Sequence, residues 1–104
     1  MAQEPVFLDV ARTEDVPAGT CRPFSIMGEK LLVCHVDGAF LAVVNNCTHA
    51  DAPLDYGKVE DGAIICPMHN ARYDLRTGAA RQSFLKPLRT YPVKVDGGRI
   101  LVGI

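Results

Sequence analysis

The sequence predicts an all-β fold: antiparallel β-sheets forming a sandwich, with a small ligand-rich subdomain inserted from about residue 45 to residue 81. Three observations carry this. Apolar segments are short and punctuated by turn residues at the spacing of an all-β domain. No long segment repeats with a 3.6-residue period, which argues against a helical bundle. Between Asn45 and Arg81 the texture changes, and Pro53, Gly57, Gly62, Pro67 and Gly78 crowd around two Cys–His pairs, Cys47-Thr48-His49 and Cys66-Pro67-Met68-His69.

Taken in order, Val6 to Val10 reads as the first strand. Thr13 to Gly19 has the composition of a turn, with one helical turn capped by Thr13. Lys30 to Val36 and Phe40 to Val44 are strands joined by Asp37-Gly38, a dipeptide that favours a type I′ hairpin. Glu60-Asp61-Gly62 turns into the strand Ala63 to Ile65, which delivers the chain to Cys66. Thr90 to Val95 and Arg99 to Val102 flank Asp96-Gly97-Gly98 as a closing hairpin.

A chain of 104 residues makes one domain, residues 1–104, of a size that buries about two-thirds of its surface on folding. Eleven basic and twelve acidic residues nearly cancel, so neither a nucleic-acid footprint nor a polybasic membrane patch is expected. Asp9 breaks the apolar run Val6-Phe7-Leu8, which leaves no signal-peptide core. No stretch approaches the roughly 20 apolar residues of a membrane helix. The expectation is a soluble, cytoplasmic monomer. Cys21 and Cys34 lie in strand-like surroundings and read as small buried hydrophobes that stay thiols in a reducing compartment.

The two pairs supply two thiolates and two imidazoles, a set that suits a [2Fe–2S] cluster in which two histidines replace two cysteines on one iron. Such a cluster is neutral when oxidised, so it accepts an electron more readily than a four-thiolate one. The pattern resembles the Rieske-type ferredoxins, and the likeness extends past the ligands. Leu54 and Gly57 match the apolar residue and glycine after the first pair; Tyr73-Asp74 and Thr77-Gly78 match the turn after the second. Pro87-Leu88, Tyr91, Val93, Val95, Gly98 and Ile100 match the closing strands.

The resemblance implies a Rieske fold with one [2Fe–2S] cluster. Cys47 and Cys66 would hold the inner iron, and His49 and His69 the outer iron at the protein's tip. It also implies that the Tyr73 hydroxyl donates to a cysteine sulfur, against the simpler reading of a core aromatic. Asn70 stands where many relatives have glycine, and asparagine tolerates the left-handed turn. The loop-bridging cysteines of the respiratory subtype correspond to Ala52 and Met68, and its serine donor to Ala71, which implies the lower-potential ferredoxin subtype.

A Cys₂His₂ set also fits structural zinc, but zinc sites more often pair cysteines with cysteines. His35 alternates with apolar neighbours and reads as structural. Asp51, Asp55, Glu60 and Asp61 suggest an acidic rim, mostly solvated. The sequence contains neither a separate domain for a two-histidine, one-carboxylate iron site nor a nucleotide-binding glycine fingerprint. The expected function is therefore a carrier rather than an enzyme. By resemblance it takes electrons from a flavin-dependent ferredoxin reductase and passes them to a terminal oxygenase. The small subunit of a nitrite-reductase-type complex is the alternative.

Overall fold

Apolar alternation on both faces of one hairpin organises the molecule. In the computed structural model, which describes residues 5–47, 53–55, 57–66, 70–82 and 85–104, strands β3 (Glu29–Val36) and β4 (Ala39–Val44) pair in register from Leu31↔Val44 to Val36↔Ala39. Leu31, Leu32, Val33 and Cys34 are all fully buried, because each face of this sheet is covered. Leu31, Val33 and Ala42 pack with Ala11, Val16, Tyr91, Ile100 and Val102 on one side. Leu32, Cys34 and Val43 pack with Cys47, Leu54, Ile64, Cys66 and Tyr73 on the other. A strand buried on both faces reads as a continuous apolar run.

The remaining strands complete three antiparallel sheets. β1 (Phe7–Arg12) and β9 (Val93–Asp96) flank β10 (Arg99–Gly103) in the first. β2 (Cys21–Ile26) and β8 (Thr90–Tyr91) flank the β3–β4 hairpin in the second. β5 (Lys58–Glu60), β6 (Ala63–Ile65) and β7 (Arg72–Asp74) form the third, which lies within the inserted segment. The all-β, antiparallel expectation holds; the helical content of the described residues is one 3₁₀ turn, Thr13–Asp15. Its cap is Arg12, not Thr13: the Asp15 carboxylate accepts the Arg12 amide at 2.9 Å.

Two elements differ from expectation for reasons of backbone chemistry. The run Thr90 to Val95 is split at Pro92, which has no amide to donate. β8 pairs with β4 and β9 pairs with β10, so the chain changes sheets at the proline. β2 carries Pro23, which breaks the strand signal in the sequence; proline is accommodated there because β2 is an edge strand. The expected hairpin turns do form. Asp37-Gly38 and Asp61-Gly62 both have positive φ at each residue, as type I′ turns require.

Recognising β2 as a strand also corrects the reading of Cys21 and Cys34 as separate thiols. The β2–β3 register sets them directly opposite, with Cα atoms 4.1 Å apart, and they form a disulfide. It closes a short loop, and closures of that length stabilise by about 3 kcal/mol in the chain-entropy model. Reduction, or Cys21→Ser, is expected to lower the melting temperature by roughly 10 °C or more. Alkylation and mass spectrometry check the pairing before and after a thiol reductant.

Candidate metal centre

The inserted segment places its ligand candidates by short strands and side-chain-braced turns. β4 ends at Val44, and the chain reaches Cys47 three residues later; β6 ends at Ile65, immediately before Cys66. Both cysteines are fully buried and belong to one apolar cluster with Leu54, Ile64, Ala71, Tyr73, Leu75 and Leu88. Both also lie outside the Cys21–Cys34 disulfide. Two buried thiols delivered into one dry compartment by two different loops are well placed to hold a thiophilic metal as thiolates.

Tyr73 is a core aromatic, as the simpler reading has it, and it stands within reach of a cysteine sulfur. It is fully buried, and its hydroxyl lies 3.4 Å from Cys47 Sγ. Were Cys47 a thiolate, the hydroxyl would be the donor and would draw negative charge off the sulfur, the kind of hydrogen bond that raises the potential of a cluster held there. The backbone amide of Cys66 donates to the Ala71 carbonyl at 2.7 Å, closing the base of the second loop. Gln82 reinforces that closure: its side-chain oxygen accepts the Arg72 amide, and its nitrogen donates to the Asn70 carbonyl, each at 3.2 Å. Asn70 adopts a φ of 55°, the left-handed turn expected of it.

The Tyr73-Asp74…Thr77-Gly78 motif is a turn built from side chains. Asp74 Oδ1 accepts the amides of Arg76 and Thr77 at 2.8 and 3.0 Å, and Thr77 Oγ1 accepts that of Ala79 at 3.1 Å. The turn brings residues 79–81 back alongside β7, with Tyr73 bridged to Ala80, and so locks the strand that carries Tyr73.

His49 and His69 lie outside the described residues, as do Asp51, Ala52, Pro67 and Met68. His35 is structural, as expected: its Nδ1 donates to the Val16 carbonyl at 2.9 Å and its ring stacks on Phe40. Of the suggested acidic rim, Glu60 and Asp61 are exposed, whereas Asp55 is partly buried and engaged by Asn45. Sequence reasoning missed Asn45 and Gln82, whose amides brace the two loops. Nothing in a lone carboxamide beside a ligand motif announces that role.

Residues 6–92 match the model of the Rieske [2Fe-2S] domain. The chain is 34% identical over 97 residues to the ferredoxin component of the naphthalene 1,2-dioxygenase/salicylate 5-hydroxylase systems of a Ralstonia species, covering 92% of this chain and 93% of that protein. Among solved structures it resembles the ferredoxin of carbazole 1,9a-dioxygenase from Nocardioides aromaticivorans, with a TM-score of 0.87 and 35% identity, covering 93% of this chain and 96% of that one. It is equally similar, with a TM-score of 0.87 and 31% identity, to a chain from the complex of reduced oxygenase and oxidised ferredoxin in carbazole 1,9a-dioxygenase, covering 95% of this chain and 94% of that one.

Proposed function

Because the chain belongs to the Rieske [2Fe-2S] domain family, we propose that it is the one-electron carrier of a multicomponent ring-hydroxylating dioxygenase system. The observation that carries this reading is the near end-to-end likeness to ferredoxin components, with 93% of the Ralstonia protein and 96% of the Nocardioides one covered.

Cys47 and Cys66 would hold one iron as thiolates, and His49 and His69 would hold the other through one ring nitrogen each. When bound, the cluster supplies one-electron exchange with no bond made or broken in a substrate. The chain's own residues set the terms. Burial of Cys47 and Cys66 keeps water from the sulfurs, and the Tyr73 hydroxyl stabilises charge on Cys47. Electrons arrive from a flavin-dependent ferredoxin reductase and leave to a terminal oxygenase, with the carrier working as a monomer. No helix among the described residues is long and apolar enough to cross a membrane.

Stopped-flow mixing with a reductase of this class and a reduced nicotinamide cofactor tests the proposal. The visible band should bleach, then recover on addition of oxidised oxygenase. A protein that the reductase cannot bleach would refute the carrier role.

The reduction potential is expected at the low end of the Rieske range of roughly −150 to +300 mV. Ala71, buried beside Cys66, offers no hydroxyl to the cluster. Ala71→Ser should raise the potential without changing the ligand set. Protein-film voltammetry checks both, and a wild-type value above about +150 mV would contradict the low-potential assignment.

A further inference from the structure

We propose that Asn45 is the positioning residue that clasps the first ligand loop shut and thereby governs how firmly the cluster is held, an inference that rests on Cys47 being a cluster ligand. Asn45 sits just past the end of β4 and two residues before Cys47. Its backbone is tied to the central sheet, with its amide donating to the Lys30 carbonyl at 2.9 Å. Its side chain reaches across to the returning end of the loop. Oδ1 accepts the amides of Leu54 at 2.8 Å and Asp55 at 3.1 Å, and Nδ2 donates to Asp55 Oδ1 at 3.1 Å.

These three bonds fix which end of the carboxamide is which, because two donors face the oxygen and a carboxylate faces the nitrogen. They also replace a ladder that is missing. Residues 53–55 belong to no strand, and β4 is already paired on both edges, with β3 and β8. Asn45 therefore connects the outgoing and returning ends of a loop whose closure the sheets do not supply.

The clasp reaches the core through Leu54. That residue is fully buried in the cluster containing Cys47, Cys66 and Tyr73, and its carbonyl accepts the Gly57 amide at 2.8 Å at the entrance to β5. Removing the Asn45 oxygen leaves two amides at Leu54 and Asp55 without their acceptor in a partly buried position, where an unmade bond is costly. The loop would open at the stem that presents Cys47. Asp at this position can accept both amides but cannot donate to Asp55, and it would set two carboxylates face to face.

The test compares Asn45→Leu, Asn45→Asp and the double variant Asn45→Asp/Asp55→Asn, which reverses donor and acceptor across the side-chain pair. Two quantities are read on each holoprotein: the rate of iron loss to an excess of chelator, and amide hydrogen exchange at Leu54 and Asp55. Asn45→Leu should lose iron on the order of tenfold faster or more, with exchange at both amides accelerated in step. Asn45→Asp should fall between it and wild type, and the double variant should return to within about threefold of wild type.

Unchanged iron loss in Asn45→Leu, or a double variant no better than Asn45→Asp, would overturn the proposal. If Asn45→Leu does not fold, the comparison of the single Asp variant with the double variant still decides it. A wild-type chain that takes up no cluster would overturn the proposed function instead, and the exchange comparison would then still judge the clasp on its own.

Discussion

Replacing His49 or His69 by alanine is expected to abolish the coloured form of the protein, with iron content falling well below that of wild type. In the proposed ligand set the outer iron has two protein ligands, both imidazoles, and no spare. The other histidine and cysteines of the chain are poor substitutes. The His35 ring already donates to Val16 and stacks on Phe40, and Cys21 and Cys34 are consumed in their disulfide. Part of the cluster's binding energy is folding energy, so the loops from residue 45 to residue 81 should also loosen and give faster amide exchange. Cys21→Ser and Cys34→Ser provide the control: both should keep the visible spectrum intact while lowering the melting temperature. A coloured, iron-replete His69→Ala variant would remove that histidine from the ligand set.

Gly57→Ala is expected to be among the most damaging single-methyl changes in the inserted segment. A Cβ at Gly57 would overlap the backbone carbonyl oxygen of Ile65 and press on that of Leu54, and neither can swing aside as a side chain would. Ile65 directly precedes Cys66, and Leu54 is held by the Asn45 clasp, so the methyl acts on the stems of both ligand loops at once. Overpacking of this kind costs about 3 kcal/mol, which for a domain of this size lowers the melting temperature by roughly 12–24 °C. Cluster occupancy should fall with it. Thermal melts of holoprotein followed at the visible band check the size of the effect, and a shift of only a few degrees would mean that the two stems can separate at little cost.

Much of the architecture is legible in the sequence because turn chemistry is local. Asp37-Gly38, Asp61-Gly62 and Gly97-Gly98 mark turns whose positive φ values the structure bears out, and the strands beside them follow. What resists reading is non-local or unsigned. β2 is obscured by Pro23 and by Met27, an unlikely residue for the left-handed conformation it adopts in the β2–β3 turn. Without β2 there is no register to set Cys21 opposite Cys34, so the disulfide is hidden too. Pro92 looks like an interruption within a strand, and only the pairing of β8 with β4 and β9 with β10 reveals it as the crossing point between sheets. At the site, the spacing of Cys47, His49, Cys66 and His69 is explicit in the chain. The Tyr73 hydroxyl depends on a fold that brings residues 47 and 73 together, and the Asn45 and Gln82 clasps depend on loop geometry that no motif encodes.

The central claim, that Cys47, His49, Cys66 and His69 together hold one [2Fe–2S] cluster, is tested most directly by pulsed EPR on the dithionite-reduced protein, with iron and acid-labile sulfide measured on the same sample. The account predicts iron and sulfide in equal amounts, two of each per chain as the cluster formula requires. It also predicts a signal coupled to imidazole nitrogen that weakens or disappears in His49→Ala and His69→Ala. A paramagnetic cluster without nitrogen coupling would mean ligation by thiolates alone and would return Cys21 and Cys34 to the metal site. A colourless protein carrying one zinc per chain would contradict the account altogether.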